Sequence, residues 1–210
     1  MYAPPFNRVT DETEIRRMVA AVGAAELITV ARDGHPQATL LPILWDGDVV
    51  LAHMARANPH WREIADRAPT LLVCAAPQAY VSPSWYASKA AGGRVVPTWN
   101  YSSVHLRGRA RVHDDLEWLR GQVTALTNRH EDHRAHPWQV TDAPADFVEG
   151  QLRGIIGIEI RVERVEAKAK LSQNRSLEDR RGVIEGLERE QLPGASAVAE
   201  AMRQGLGEAG

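Results

Sequence analysis

Four short stretches gather the side chains that recognise ligands: HMARANPHW (53–61), YVSPSWY (80–86), PTWNYSSVH (97–105) and KAKLSQN (168–174). Together they mix aromatic rings, short amide and hydroxyl side chains, and cations or imidazoles. A pocket needs that combination to stack a planar ring system and hydrogen-bond its edges. The first stretch lies at a joint, because Asp48–Met54 reads as a buried strand while Trp61, Ile64 and Ala65 fall on one side of a following helix. Asn58 is a good N-cap and Pro59 suits the first helical position, so a helix is predicted from Pro59 to about Arg67. A phosphate at such a helix start gains unpaired N–H donors and a favourable dipole, and Arg56 adds a forked, permanently charged donor. The plainer alternative is an ordinary capped helix with solvated basic residues.

Other chemistries find less support. His130, His133 and His136 are spaced i, i+3, i+6, which does not repeat the i, i+4 pair of a helical metal site, and no metal is expected. Ser82, Ser84 and Ser172 lie in no nucleophile elbow, and no P-loop or Gly-x-Gly-x-x-Gly is present. A nucleotide must be held in some other way. Cys74, the single cysteine, stands in the apolar run LLVCAA and reads as a small core residue in a chain without an intrachain disulfide.

The chain's 210 residues, 44% of them hydrophobic, suffice for one main domain. A formal net charge of -2 lacks the basic footprint of a stand-alone nucleic-acid binder. With no signal-peptide pattern and no apolar run of membrane-spanning length, a cytoplasmic protein is expected.

The elements that must position these stretches follow from periodicity. Thr10 or Asp11 caps a helix with Ile15, Met18, Val19 and Val22 on one face, ending near Gly23. Strands at Leu27–Val30, Ala38–Leu44 and Val49–Leu51, separated by turn signals, form an antiparallel meander. A strand from Thr70 to about Val81 leads into a long loop containing SPSWYASKAAGGRVVPTWNY, and loops of that length are functional more often than idle. The next strand, Ser102–Val112, alternates apolar and basic residues, with Gly108 marking a bulge or close approach. Asp114 or Asp115 opens a helix carrying Leu116, Leu119, Val123 and Leu126, and a second runs from Pro144 to Leu152. Gly154–Ile160 and Val162 to about Ala169 are a strand pair or one long bent strand. Ser176 with Asp179 has the form of a capping box, and Ala195 to about Leu206 closes the chain as a helix before a short polar end. Six or more strands punctuated by helices favour a closed or split antiparallel barrel over a doubly wound sheet.

In this order and at these separations, MYAPPF, HMARANPHW, YVSPSWY, VPTWNYSSVHLRG, KAKLSQNRSLEDRRGVIEGL and the final helix resemble the PaiB-like family of FMN-binding negative transcriptional regulators. The resemblance implies a mainly β chain with helices (α+β): an antiparallel, FMN-binding split β-barrel of the flavin-reductase type with peripheral and C-terminal helices. It implies one domain over 1–210, a C-terminal helical extension at about 176–207, and a homodimer with FMN at its interface. By analogy, Thr39, Leu40 and Leu41 run beside the flavin ring, while Arg56, Asn58 and His60 meet the phosphate, and His53 is counted among the cofactor-binding residues. Trp99, Asn100 and His105 approach the flavin from the loop and its following strand. Lys170, Ser172, Gln173 and Asn174 approach it from the C-terminal segment of the same or the partner subunit.

The function implied is flavin-dependent negative regulation. One alternative is an FMN-dependent oxidoreductase or flavin reductase acting on a small molecule. Another is a haem-binding or haem-degrading protein, with His53, His60 or His105 as iron ligand. Direct DNA binding has no isolable helix-turn-helix behind it, and a row such as Arg107, Arg109, Arg111 is more often a solvated or ion-paired surface than a DNA-facing one.

Overall fold

The computed structural model describes residues 1–190 and 192–207; the predicted polar end falls largely on residues 208–210, outside them. In chain order, a 3-10 turn at Pro5–Asn7 leads to β1 (Arg8–Val9), α1 (Glu12–Val22), β2 (Ala24–Val30), β3 (Pro36–Asp46), β4 (Val49–Ala55) and α2 (His60–Glu63). β5 (Ala68–Val81), a 3-10 turn at Pro83–Trp85, α3 (Ser88–Gly92), β6 (Thr98–His113) and α4 (Leu116–Glu131) follow. The chain continues through a 3-10 turn at Val140–Asp142, α5 (Ala145–Arg153), β7 (Ile155–Lys170), α6 (Leu177–Glu190) and α7 (Ala195–Gly207). The strands form one sheet in the order β1-β7-β4-β3-β2-β5-β6, and β6 also pairs with β7, so the order returns on itself. Among the described residues, no helix is long and apolar enough to cross a membrane.

The contacts divide the chain into two compact units, with the boundaries inside α1, β5, β6 and β7. The unit of residues 16–74 and 105–165 contains the predicted meander: β2 pairs with β3 from Ala24↔Pro42 to Val30↔Pro36, and β3 pairs with β4 from Ile43↔Ala52 to Asp46↔Val49. Its buried residues alternate along β2 and β4, as strands covered on one face require. Gly108 is a close approach rather than a bulge for its own sake, since a Cβ there would lie 2.0 Å from the Arg161 carbonyl oxygen of β7. The unit of residues 1–15, 75–104 and 166–210 is built around Val81, Tyr86, Val183, Leu187, Val198 and Met202, which join α6 and α7 to the end of β5. Thus α6 and α7 contribute buried residues to this unit's core.

Three sequence expectations are corrected. The helix after Pro59 is a single turn, His60–Glu63, because Ile64 turns extended to bury its side chain and the chain then reverses through Arg67 at φ 58° to enter β5. The macrodipole argument for a phosphate at its start therefore lapses, since one turn sums few peptide dipoles. β6 begins at Thr98, not Ser102, so Trp99 and Asn100 stand on a strand with opposite exposures, and the loop before it is shorter and contains a 3-10 turn and α3. The capping box at Ser176 is half formed. Ser176 Oγ accepts from the Asp179 N–H at 3.2 Å, but the Asp179 carboxylate instead accepts from the Ser88 N–H and hydroxyl, both at 2.8 Å.

Candidate functional site: an open strand edge and a basic cavity

The residues predicted to bind a ligand fall into two groups, one in each unit. The first is assembled by the register of β2 and β3. Leu27 pairs with Thr39 and Thr29 with Gln37, which puts both threonines on one face of the hairpin. His60, 3% exposed, lies between them: its Nε2 is 2.8 Å from Thr29 Oγ1 and its Nδ1 2.7 Å from Thr39 Oγ1. Burial lowers the imidazole's pKa, so the neutral ring donates to one hydroxyl and accepts from the other. Asn58 completes the group, accepting from the His60 N–H through Oδ1 at 3.0 Å and donating through Nδ2 to Thr39 Oγ1 at 3.4 Å. The Thr39 hydroxyl is thereby held in a fixed position on a half-buried side chain.

Next to that hydroxyl, β3 presents an open edge. The Ile43 N–H donates to Gly23 O at 3.0 Å, so by antiparallel alternation residues 37, 39 and 41 also turn their amides toward β2. The N–H and C=O of Ala38 and Leu40 then point the other way. Among the described residues β4 takes up that side only from Ile43 to Asp46, so Ala38 and Leu40 have no strand partner there. The Leu40 side chain is 63% exposed, whereas that of Leu41 is buried in the core. With its side chain buried and its amide turned to β2, Leu41 offers that outer edge no donor, unlike Ala38 and Leu40.

Arg56 is committed elsewhere. Its Nη1 donates to Asp114 Oδ2 at 3.0 Å, its Nη2 to Asp114 Oδ1 and the Ile155 carbonyl, and its Nε to the Arg153 carbonyl at 2.7 Å. This bond holds the Asp114 carboxyl below the usual carboxylate range. Asp115, not Asp114, caps α4, accepting from the Trp118 N–H at 2.8 Å, which leaves Asp114 for the arginine. The Trp61 Nε1–H donates to the Arg56 carbonyl at 2.9 Å, so the whole turn is braced. His53 is set apart from this group, donating through Nδ1 to Gln122 Oε1 at 2.9 Å, and His105 is half-buried on β6.

The second group gathers the C-terminal stretch. Lys170 Nζ donates to Thr98 Oγ1 and to the Trp99 carbonyl, each at 2.5 Å. The Trp99 ring is 52% exposed and meets Tyr80 edge-on at 6.4 Å. Asn100, fully buried, donates through Nδ2 to Ser172 Oγ at 3.1 Å, and the Ser172 hydroxyl lies 3.2 Å from Asn100 Oδ1, holding Ser172 at φ 62°. Gln173 serves its own turn, accepting from the Leu171 N–H and donating to the Ala169 carbonyl. Asn174 is exposed, and with Lys170, Asn100 and Ser172 it lines a cavity of about 340 Å³. Two cations of this cavity, Lys168 and Arg175, lie in the motif stretches but were not singled out as site residues from the sequence. Lys168 was legible, since i, i+2 spacing on a strand puts it on the face of Lys170; Arg175 and Thr29 left no comparable signal.

Residues 1–164 match the family described as "Putative FMN-binding domain". The chain belongs to this FMN-binding domain family. It is similar along nearly its full length to "Protease synthase and sporulation protein PAI 2" of Bacillus subtilis (strain 168), with 35% identity over 210 residues, 98% of each chain. It is also 37% identical over 135 residues to "Uncharacterized protein AN0679" of Emericella nidulans, covering 60% of this chain and 54% of that protein. Among solved structures, the FAD and heme binding protein from Mycobacterium smegmatis superposes with a TM-score of 0.60 at 20% identity, covering 78% of this chain and 73% of that one. The flavocytochrome Anf3 from Azotobacter vinelandii gives 0.57 at 16% identity, covering 78% and 69%. At these identities the structures establish the fold, that of the flavin-reductase-like split barrels, for this member of the FMN-binding domain family.

Proposed function

We propose that this member of the FMN-binding domain family is a PaiB-type regulator that lays the isoalloxazine of FMN along the outer edge of β3. The observation that carries this placement is the unpaired backbone of Ala38 and Leu40 beside the fixed Thr39 hydroxyl. A flavin ring has alternating donors and acceptors on its pyrimidine edge, and such a strand edge matches them without side-chain motion. The exposed Leu40 side chain stands on the same strand, and Asn58 and His60 act through Thr39 as positioning residues. Bound FMN supplies one- and two-electron redox chemistry; this chain supplies the orientation.

The phosphate end fits less well at the 56–60 turn. Arg56 is already neutralised by Asp114, so its role there is that of a brace, with one Nη1 hydrogen left over. A homodimer is part of the proposal, supported by large apolar side chains left exposed in both units: Val30 and Leu40 in one, Phe6 and Trp99 in the other. A cytoplasmic regulator that acts through a protein partner fits better than direct DNA binding. Arg109 and Arg111 are 3.4 Å from Glu163 and Asp66, and the net charge is -2.

The test is a titration of purified protein with FMN and with riboflavin, read by flavin fluorescence. Saturable quenching by both is expected, with Thr39→Val weakening both by about 5- to 10-fold, the loss of one neutral hydrogen bond. A folded protein that quenches neither flavin overturns the placement. Bleaching of the bound flavin by NADPH would reassign the chain to the oxidoreductase reading.

A further inference from the structure

We infer that the cavity between the start of the chain and the ends of β6 and β7 is a phosphate-monoester site whose charge comes from Lys168, Lys170 and Arg175. This deepens the flavin reading above, which leaves the phosphate without a free cation. Lys168 is 7% exposed, yet among the described residues its ammonium is matched only by the Tyr101 hydroxyl at 2.7 Å and by the faces of Tyr101 and Tyr2 at 4.9 and 5.9 Å. Lys170 bonds a hydroxyl and a carbonyl, and Arg175 stacks over Tyr86 at 4.8 Å. Among the described residues, no carboxylate pairs with any of the three, and none lines the cavity. Three cations lining one half-open cavity without a counter-charge, one of them buried, favour an anion joining them. Burial, and more weakly the charge of Lys168, holds the Lys170 ammonium below its ordinary pKa, as expected where an anion is wanted.

The rest of the lining specifies the ligand further. Asn174 and Thr98 add an amide and a hydroxyl, the groups that orient phosphate oxygens around a charge. Tyr2, Phe6 and Tyr86 make an apolar wall, and about 340 Å³ accommodates a small organic body attached to the phosphate. A dianion satisfies three clustered cations better than a monocarboxylate does. The phosphate has two possible sources: the 5′-phosphate of FMN itself, or a separate small phosphorylated molecule.

The experiment is calorimetric titration of the flavin-free full chain with phenyl phosphate and with inorganic phosphate at low ionic strength. The wild type is compared with Lys168→Met and with Arg175→Gln. Arg175 is only half-buried and is the safer variant if the buried lysine is needed for folding. Saturable binding of phenyl phosphate is expected, weakened by about 10- to 100-fold in either variant, as for loss of a charged hydrogen-bond partner. If FMN displaces phenyl phosphate, and the variants lose FMN but not riboflavin affinity, the site holds the cofactor's phosphate. If FMN and phenyl phosphate bind together, it holds a second, phosphorylated ligand. Absence of binding by both probes, or variants that bind as the wild type does, overturns the inference. Riboflavin binding reports separately on the β3 edge.

Discussion

Replacing His60 by alanine removes the imidazole that bridges Thr29 and Thr39, and the consequences for stability can be worked out from the contacts. Thr29 is 2% exposed, so its hydroxyl loses its partner without gaining water. An unsatisfied buried hydroxyl costs roughly 1–3 kcal/mol, and deleting a buried ring leaves a cavity that adds to it. A loss of about 2–4 kcal/mol at pH 8 is expected. The pH dependence is the sharper part. The folded pKa of His60 lies below its unfolded value of about 6.5, so between the two the unfolded chain binds the extra proton. Wild-type stability should therefore hold above about pH 6.5 and fall on acidification below it, by up to about 1.4 kcal/mol per pH unit from this residue. The variant lacks that contribution, so the stability difference between the two proteins should shrink as the pH drops from 7 toward 5.5. Urea denaturation followed by tryptophan fluorescence across that range, on flavin-free protein, measures it. A difference that stays constant or widens on acidification would refute the neutral bridging histidine.

Other perturbations test other parts of the structure. Gly108→Ala forces a Cβ to within 2.0 Å of the Arg161 carbonyl oxygen, and backbone cannot yield as a side chain can. A loss above about 3 kcal/mol, or insoluble protein, is expected in thermal denaturation, whereas Gly121→Ala in α4 meets nothing within 4 Å and should gain roughly 0.5–1 kcal/mol. Asn100→Leu keeps the branched shape with some added bulk but strands the Ser172 hydroxyl beside a buried apolar group, costing about 1–3 kcal/mol by chemical denaturation; an unchanged midpoint would dismiss that pair as a stabilising contact. Cys74 is 1% exposed and burial pushes its thiol up to about 12, so the native protein should resist a thiol reagent at pH 8 and react only when unfolded. Rapid labelling of the native chain would contradict its placement in the core.

What the residue pattern disclosed, and what it did not, divides along a physical line. Alternation and turn chemistry act locally, so the β2–β3–β4 meander and a cap at Asp114 or Asp115 are readable from neighbours in sequence, while Gly108 signals a bulge or a close approach without saying which. The four ligand-dense stretches were readable too, and the family to which the chain belongs bears out the FMN-binding fold inferred from them. Partner choice acts at long range. Nothing near Arg56 announces that Asp114, 58 positions on, will take its guanidinium, nor near His60 that Thr29 will share its ring with Thr39. The same contrast separates Arg56 from Lys168. Both are cations in motif stretches, but one is neutralised by a carboxylate from a distant element, and among the described residues the other meets only a phenol and aromatic faces. Composition counts both as +1, and only the fold distinguishes a brace from a charge still available to a ligand. Lys168 is therefore a better candidate than Arg56 for the counter-charge of a bound phosphate.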